Sequence, residues 1–150
     1  ALLIGCAANE RYAAGEHLFR EGGEANKFFL IRAGTVAVEV DAPVKKAIVL
    51  ETLGEGDVLG WSWMVPPYRT SFAARARDPV RALSFDAKCL RRKMEDDPAL
   101  GYAVMRRFLP VMAHRLSAAR LQMLDLYGPA VAEKPEKKPK AEKKAKKKAS

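Results

Sequence analysis

The sequence has little of what enzymes, metal proteins and secreted scaffolds are built from. Cysteine occurs twice, as Cys6 and Cys89, and histidine twice, as His17 and His114. Two cysteines without metal-type spacing exclude a disulfide scaffold, and the expectation is two small buried hydrophobes in a reducing cytoplasm. A metal site on strands needs several His or carboxylates converging from neighbours, and only His17 falls in a strand-rich region, so no metal is expected. There is no Gly-x-Ser-x-Gly elbow and no Gly-x-x-x-x-Gly-Lys phosphate loop. Cys89 stands among Lys88, Arg91 and Arg92 with no His near it in sequence, which argues against a nucleophile. The chain is therefore read as no enzyme. Its apolar runs fall far short of the roughly 20 residues of a membrane span, and no signal peptide opens it. It begins at Ala1 rather than Met, which points to a fragment or a processed product.

What is present suits one ordinary domain. The chain has 150 residues, of which 49% are hydrophobic, enough to bury a single core. Its net charge of +9 is unevenly placed. Residues 129–150 hold nine Lys and three Glu, with three Pro and no aromatic residue. Such a segment cannot bury enough apolar surface to offset the entropy of ordering, so it reads as a disordered Lys-rich tail. The rest, residues 1–128, is nearly balanced and reads as the folded domain.

From Tyr12 to about Phe85 the pattern is that of strands. Phe28-Phe29-Leu30-Ile31 is an apolar run, and Val36, Val38 and Val40 alternate with Ala37 and Glu39 as in a half-buried strand. Ile48-Val49-Leu50 and Arg81–Phe85 are further short strands. Turn residues separate them at Gly15, Gly22-Gly23, Gly34, Asp41-Ala42-Pro43, Gly54, Gly56 and Asp78-Pro79. From Asp86 the period changes. Asp86 caps a short helix through Met94, and Asp97-Pro98 is a strong helix start. Leu100, Val104, Phe108, Met112 and Leu116 recur every four residues, widened by Met105, Leu109, Met123 and Leu124. That predicts a long amphipathic helix ending before Gly128, kinked or split at Pro110. The fold class is mainly β with C-terminal helices: a jelly-roll-like β-roll, then a short and a long helix.

Four motifs stand in order along this frame: Tyr12-x-x-Gly15-Glu16-x-Leu18-Phe19-x-Glu21-Gly22, Phe28–Val38 with its Gly34 turn, Leu53–Gly60, and Arg69-Thr70 nine residues past Gly60. Together they resemble the cyclic nucleotide-binding domain of the Crp/Fnr type, from about residue 3 to residue 125. The resemblance implies a phosphate cassette. Gly60 matches the glycine that lets the ligand approach, Trp61 and Ser62 follow it, Arg69 matches the phosphate-binding arginine, and Thr70 adds a hydroxyl. A cyclic nucleotide, cAMP or cGMP, is the implied ligand, and the resemblance implies that an N-terminal helix usual in the family would lie mostly before Ala1.

The chain departs from the family at named positions. Trp61 stands where a Glu accepts from the ribose hydroxyl, and an indole has no acceptor. Ala119 and Arg120 stand where the long helix brings a Thr-Ser pair to the base. Trp61 and Trp63 either stack on a base or fill the pocket, and the residues alone leave both open. The stripe of the long helix either pairs with a second copy or docks on the roll of its own chain.

The leading reading is a regulatory ligand-binding module, cytoplasmic and dimeric through the long helix, with a divergent phosphate cassette and no insertion into membrane. No helix-turn-helix lies within residues 1–150, so sequence-specific DNA reading is not expected of them. The alternatives are a dimer that binds nucleic acid non-specifically through its Lys tail, and a ligand-free scaffold.

Overall fold

The computed structural model describes residues 4–40 and 47–127; the expected turn at Asp41-Ala42-Pro43, the stop at Gly128 and the Lys-rich tail lie outside them. Eight strands form the body: β1 (Ala7–Tyr12), β2 (His17–Phe19), β3 (Lys27–Ala33), β4 (Val36–Val40), β5 (Ile48–Leu53), β6 (Val58–Leu59), β7 (Ala73–Ala76) and β8 (Val80–Asp86). Two helices follow, α1 (Ala87–Asp96) and α2 (Pro98–Tyr127). The strands pair antiparallel in two four-stranded sheets, in the orders β1-β8-β3-β6 and β2-β7-β4-β5. This is the jelly-roll-like body with trailing helices that the patterning predicts.

The roll closes on Phe29, Ile31, Val36, Leu59, Ala74 and Val80, all buried in one cluster. A second cluster lies against α1 and the first half of α2 and contains Phe28, Trp63, Phe85, Leu90 and Val104. Strand β3 serves both. Successive side chains point to opposite faces, so Phe29 and Ile31 join the roll cluster while Phe28 joins the helix cluster. A strand covered on both faces has no polar side to show, which explains the unbroken apolar run Phe28–Ile31.

Strand β4 departs from its predicted alternation. Ala37 and Glu39 are as buried as Val36 and Val38. Glu39 is tolerated because Arg75 on β7 holds its carboxylate through Nε and Nη2, at 3.1 and 2.6 Å from Oε1. On the other sheet Glu10 of β1 accepts from Lys27 Nζ of β3 at 2.6 Å and from Ser84 Oγ of β8 at 2.7 Å, and also from the Tyr12 hydroxyl. Burial raises the Glu10 pKa, but these hydrogen bonds and the Lys27 charge outweigh it and hold the carboxyl below its ordinary value. Tyr12 is pushed upward by burial and by its bond to Glu10.

Gly34 joins β3 to β4 at φ +87°, where a Cβ would lie 2.4 Å from the Pro79 carbonyl oxygen. Only glycine fits this contact. The adjacent Thr35 N–H donates to Asp78 Oδ1 at 2.7 Å, so the two turns are tied together.

The helix starts are as the sequence predicts. Asp86 accepts from the Cys89 N–H at 2.6 Å, and Asp97 Oδ1 accepts from Ala99 and Leu100 at 3.1 Å. Strand β8 thus runs directly into α1. Helix α2 continues through Pro110 without a break, so it is not split there. The chain divides into two units, residues 1–111 and residues 112–150. The first holds the roll, α1 and α2 as far as Val111. The described part of the second is α2 from Met112 to Tyr127, on which Leu116 and Met123 are exposed.

The expectation for the cysteines is overturned. Cys6 and Cys89 are not two unpaired buried residues but form a disulfide across 83 positions of sequence. A 3-10 turn at Ile4–Cys6 packs against α1 and brings Cys6 within 5.8 Å, Cα to Cα, of Cys89. The pairing also removes the cysteine argument for a reducing compartment. Among the described residues no helix is long and apolar enough to cross a membrane.

Candidate functional site

The cassette begins where β6 ends. Gly60 sits at φ +83°, a backbone conformation that favours glycine, and turns the chain out of the sheet. Trp61 leads into a 3-10 turn over Ser62–Met64, closed by the Met64 N–H donating to the Trp61 carbonyl at 3.1 Å. Ser62 is buried and Trp61 half-buried. The chain then passes Pro66-Pro67 to Tyr68, which has φ +56°.

Arg69 and Thr70 lie at the far end of the cassette, in a short antiparallel ribbon. Ala25 N–H donates to the Tyr68 carbonyl, Thr70 N–H to Gly23, and Gly22 N–H to Thr70, at 2.8, 2.9 and 2.8 Å. The Arg69 guanidinium is exposed, and its Nη1 donates to the Gly22 carbonyl at 2.9 Å. Among the described residues no carboxylate pairs with it. Thr70 is buried, and its hydroxyl donates to the Arg20 carbonyl at 2.5 Å, so its single proton is already committed.

The two tryptophans take different places. Trp63 is only 1% exposed and stacks on Phe28 with centroids 5.0 Å apart, while Phe108 of α2 meets it edge-on at 5.7 Å. Phe28 stacks in turn on Phe85 at 4.6 Å. Each such pair adds roughly 0.5–1.5 kcal/mol beyond area burial. The Trp63 ring is therefore part of the core beneath the cassette, and of the pair Trp61 alone keeps surface toward solvent. Trp63 Nε1 is buried with no hydrogen-bond partner.

Arg91 is the residue the sequence reading missed. From α1 it donates Nη1 to the Trp63 carbonyl at 2.7 Å, and its guanidinium carbon lies 4.2 Å from the Tyr68 ring centroid. One side chain thus grips the cassette at both its turn and its exit. A signal was available: Ala87, Leu90 and Met94 form the apolar face of α1, and Arg91 falls on that face at helical spacing.

None of the remaining candidates is a residue of this arrangement. His17 is on β2, and His114 is exposed on α2. Among the described residues no group of three His, Cys, Asp or Glu is placed to hold a metal. Ala119 and Arg120 are exposed on the part of α2 in the second unit. An open basin at the β1–β2 turn, lined by Arg11, Tyr12, Gly15, Glu16, His17 and Arg20, includes no cassette residue.

Residues 9–97 match the family model of the cyclic nucleotide-binding domain. The chain belongs to this family. It is 27% identical over 115 residues to a CRP-like cAMP-activated global transcriptional regulator of Mycobacterium tuberculosis, covering 77% of this chain and 50% of that protein. The chain thus spans half the length of this curated relative. Among solved structures it is similar to a cyclic nucleotide-binding domain from Methylobacillus flagellatus, with a TM-score of 0.73 at 22% identity, covering 81% of this chain and 68% of the other. It is also similar to the c-di-GMP responsive global regulator CLP of Xanthomonas campestris, with a TM-score of 0.68 at 17% identity, covering 85% and 62%. These structural likenesses concern the fold. A cyclic nucleotide-binding domain is a regulatory module, and the cassette from Gly60 to Thr70 lies within the matched residues.

Proposed function

We propose that this domain senses a cyclic nucleotide, cAMP or cGMP, through a divergent phosphate cassette formed by Gly60, Trp61, Ser62, Arg69 and Thr70. The observation that carries this reading is Arg69. Its guanidinium is exposed on the cassette with a neutral carbonyl as acceptor and, among the described residues, no ion pair, while Glu24 stands opposite it in the ribbon. Exchanging that carbonyl for a phosphate oxygen replaces a neutral acceptor by a charged one, a stronger hydrogen bond. Trp61 offers the base or ribose a flat apolar face instead of the carboxylate usual at this position. Binding is the whole of the activity proposed; no chemistry on the ligand is involved.

Binding is passed on through α1, because Arg91 ties the cassette to that helix. The output is a homodimer through α2. Leu100, Val104 and Phe108 pack on the helix side of the roll, while Met105, Leu109, Leu116 and Met123 on the same helix are exposed, Leu109 to 66%. The helix thus carries an inward face as far as Phe108 and, among the described residues, a second apolar stripe that is exposed, which supports pairing as the use of that stripe. A cytoplasmic location goes with this reading, and there the Cys6–Cys89 bond would be a reversible one. Non-specific nucleic-acid binding through the tail rests on residues outside those described.

Calorimetry of the full chain with cAMP, cGMP and cyclic di-GMP tests the reading. Saturable binding of cAMP or cGMP, weakened by Arg69→Ala, is the expected result. No binding of any of the three overturns it in favour of the ligand-free scaffold.

A further inference from the structure

Helix α1 is held at two neighbouring points on two different parts of the chain. At Cys89 it is covalently bonded to Cys6, in the 3-10 turn that precedes β1. Two residues further on, Arg91 grips the Trp63 carbonyl and the Tyr68 ring of the cassette. The disulfide therefore fixes the helix on which the cassette depends.

The surroundings of the two sulfurs differ. Cys6 is buried, whereas Cys89 is half-buried. Cys89 occupies the first turn of α1, its N–H donating to Asp86 Oδ1 at 2.6 Å, and Lys88, Arg92 and Lys93 are near it in sequence. Lys93 Nζ lies 3.4 Å from where a Cβ on Gly5 would stand, beside Cys6. With the more accessible position, a reduced Cys89 is suited to attack an oxidant first, with Cys6 as the sheltered resolving partner.

We propose that Cys6 and Cys89 form a reversible thiol–disulfide switch that sets how firmly α1 holds the cassette, and so makes ligand binding depend on redox state. The inference rests on the cassette being the ligand site. With peroxide as oxidant, the Cys89 thiolate attacks one peroxide oxygen, the O–O bond breaks and hydroxide leaves, giving a sulfenic acid. The Cys6 thiol then attacks the Cys89 sulfur; the S–S bond forms, the S–O bond breaks, and water leaves with the Cys6 proton. Two electrons have passed from the thiols to the peroxide. A dithiol reductant reverses this by exchange through a mixed disulfide, becoming a disulfide itself while both cysteines regain protons. In the dithiol state α1 loses its covalent tie, and the cassette is freer to close on a ligand.

The full chain is prepared oxidised with peroxide and reduced with dithiothreitol, and thiol state is read by alkylation and mass. Two measurements follow: amide exchange over residues 63–69 and 87–96, and calorimetry with cAMP. The expected result is exchange at least about tenfold faster and cAMP binding at least about threefold tighter in the dithiol state. Neither should depend on redox treatment in a Cys6→Ser/Cys89→Ser chain. Equal exchange in the two states, or measurable cAMP binding of equal affinity in both, overturns the proposal. Faster exchange without cAMP binding in either state upholds the switch and overturns the ligand reading of the cassette. cAMP binding in both states with equal exchange does the reverse.

Discussion

Arg75 on β7 holds the buried carboxylate of Glu39 on β4, with Nη2 2.6 Å from Oε1. The two strands are neighbours in the sheet, and the guanidinium reaches out to solvent while Glu39 is only 2% exposed. Removing the arginine strands a charge in the roll, whereas replacing both partners by apolar residues strands nothing. Arg75→Met alone should lower the thermal midpoint by several degrees, and Glu39→Leu/Arg75→Met should recover most of the loss. Differential scanning calorimetry of the four chains of this cycle checks it. A double variant as unstable as Arg75→Met would show that the pair contributes something other than charge compensation.

For the cassette, Arg69→Ala should weaken cyclic nucleotide binding roughly 10- to 100-fold, the loss expected for a hydrogen bond to a charged group. Trp61→Glu should strengthen binding by supplying the acceptors that an indole lacks. Titration calorimetry reads both. Unchanged affinity in Arg69→Ala removes that residue from the site, and weaker binding by Trp61→Glu assigns the indole itself a contact with the ligand.

Oligomeric state tests α2. Leu116 is 54% exposed, and on a symmetric interface Leu116→Glu buries two unpaired carboxylates, one from each copy. Analytical ultracentrifugation at tens of micromolar should give a dimer for the unaltered chain and a monomer for the variant. An unaltered chain that sediments as a monomer overturns the pairing.

The network at Glu10 predicts the acid limb of stability. Its folded pKa lies below the ordinary value of 4.5, so across that interval the unfolded chain binds more protons than the folded one. The stabilisation from Glu10 is therefore full above the unfolded value and is lost as pH falls through the folded one. Thermal midpoints measured from about pH 6 to about pH 3 should fall less steeply for Glu10→Gln than for the unaltered chain. Parallel curves would assign the acid limb to other carboxylates.

Much of this architecture is legible in the residues, and what is not has identifiable physical causes. The run Phe28–Ile31 announces a covered strand, and Asp86 and Asp97 announce helix starts, because these signals are local. Strands β1 and β7 are hidden, since Ala-Ala-Asn-Glu-Arg-Tyr and Ala-Ala-Arg-Ala have little strand preference of their own. They are strands because β8 and β4 pair with them. The small side chains of Ala74 and Ala76 are what a packed interior between sheets requires. The Cys6–Cys89 bond was illegible for the same reason: no local pattern links positions 83 residues apart. Trp61 and Trp63 are equivalent in sequence, and only the position of Phe28 decides which of them is core. The grip of Arg91 on the cassette likewise needs the fold, although a cation on the apolar face of α1 marks the residue out.

Met105, Leu109, Met112, Leu116, Ala119 and Met123 of α2 stand alternately four and three residues apart. That is a heptad seam, whose period of about 3.5 residues falls short of the roughly 3.6 of a straight helix. The seam therefore drifts round the helix by about 20° in each heptad. Two copies laid seam to seam stay in contact only by winding about each other with a left-handed supercoil. In the proposed pairing through α2, handedness would thus be carried by the spacing of these side chains.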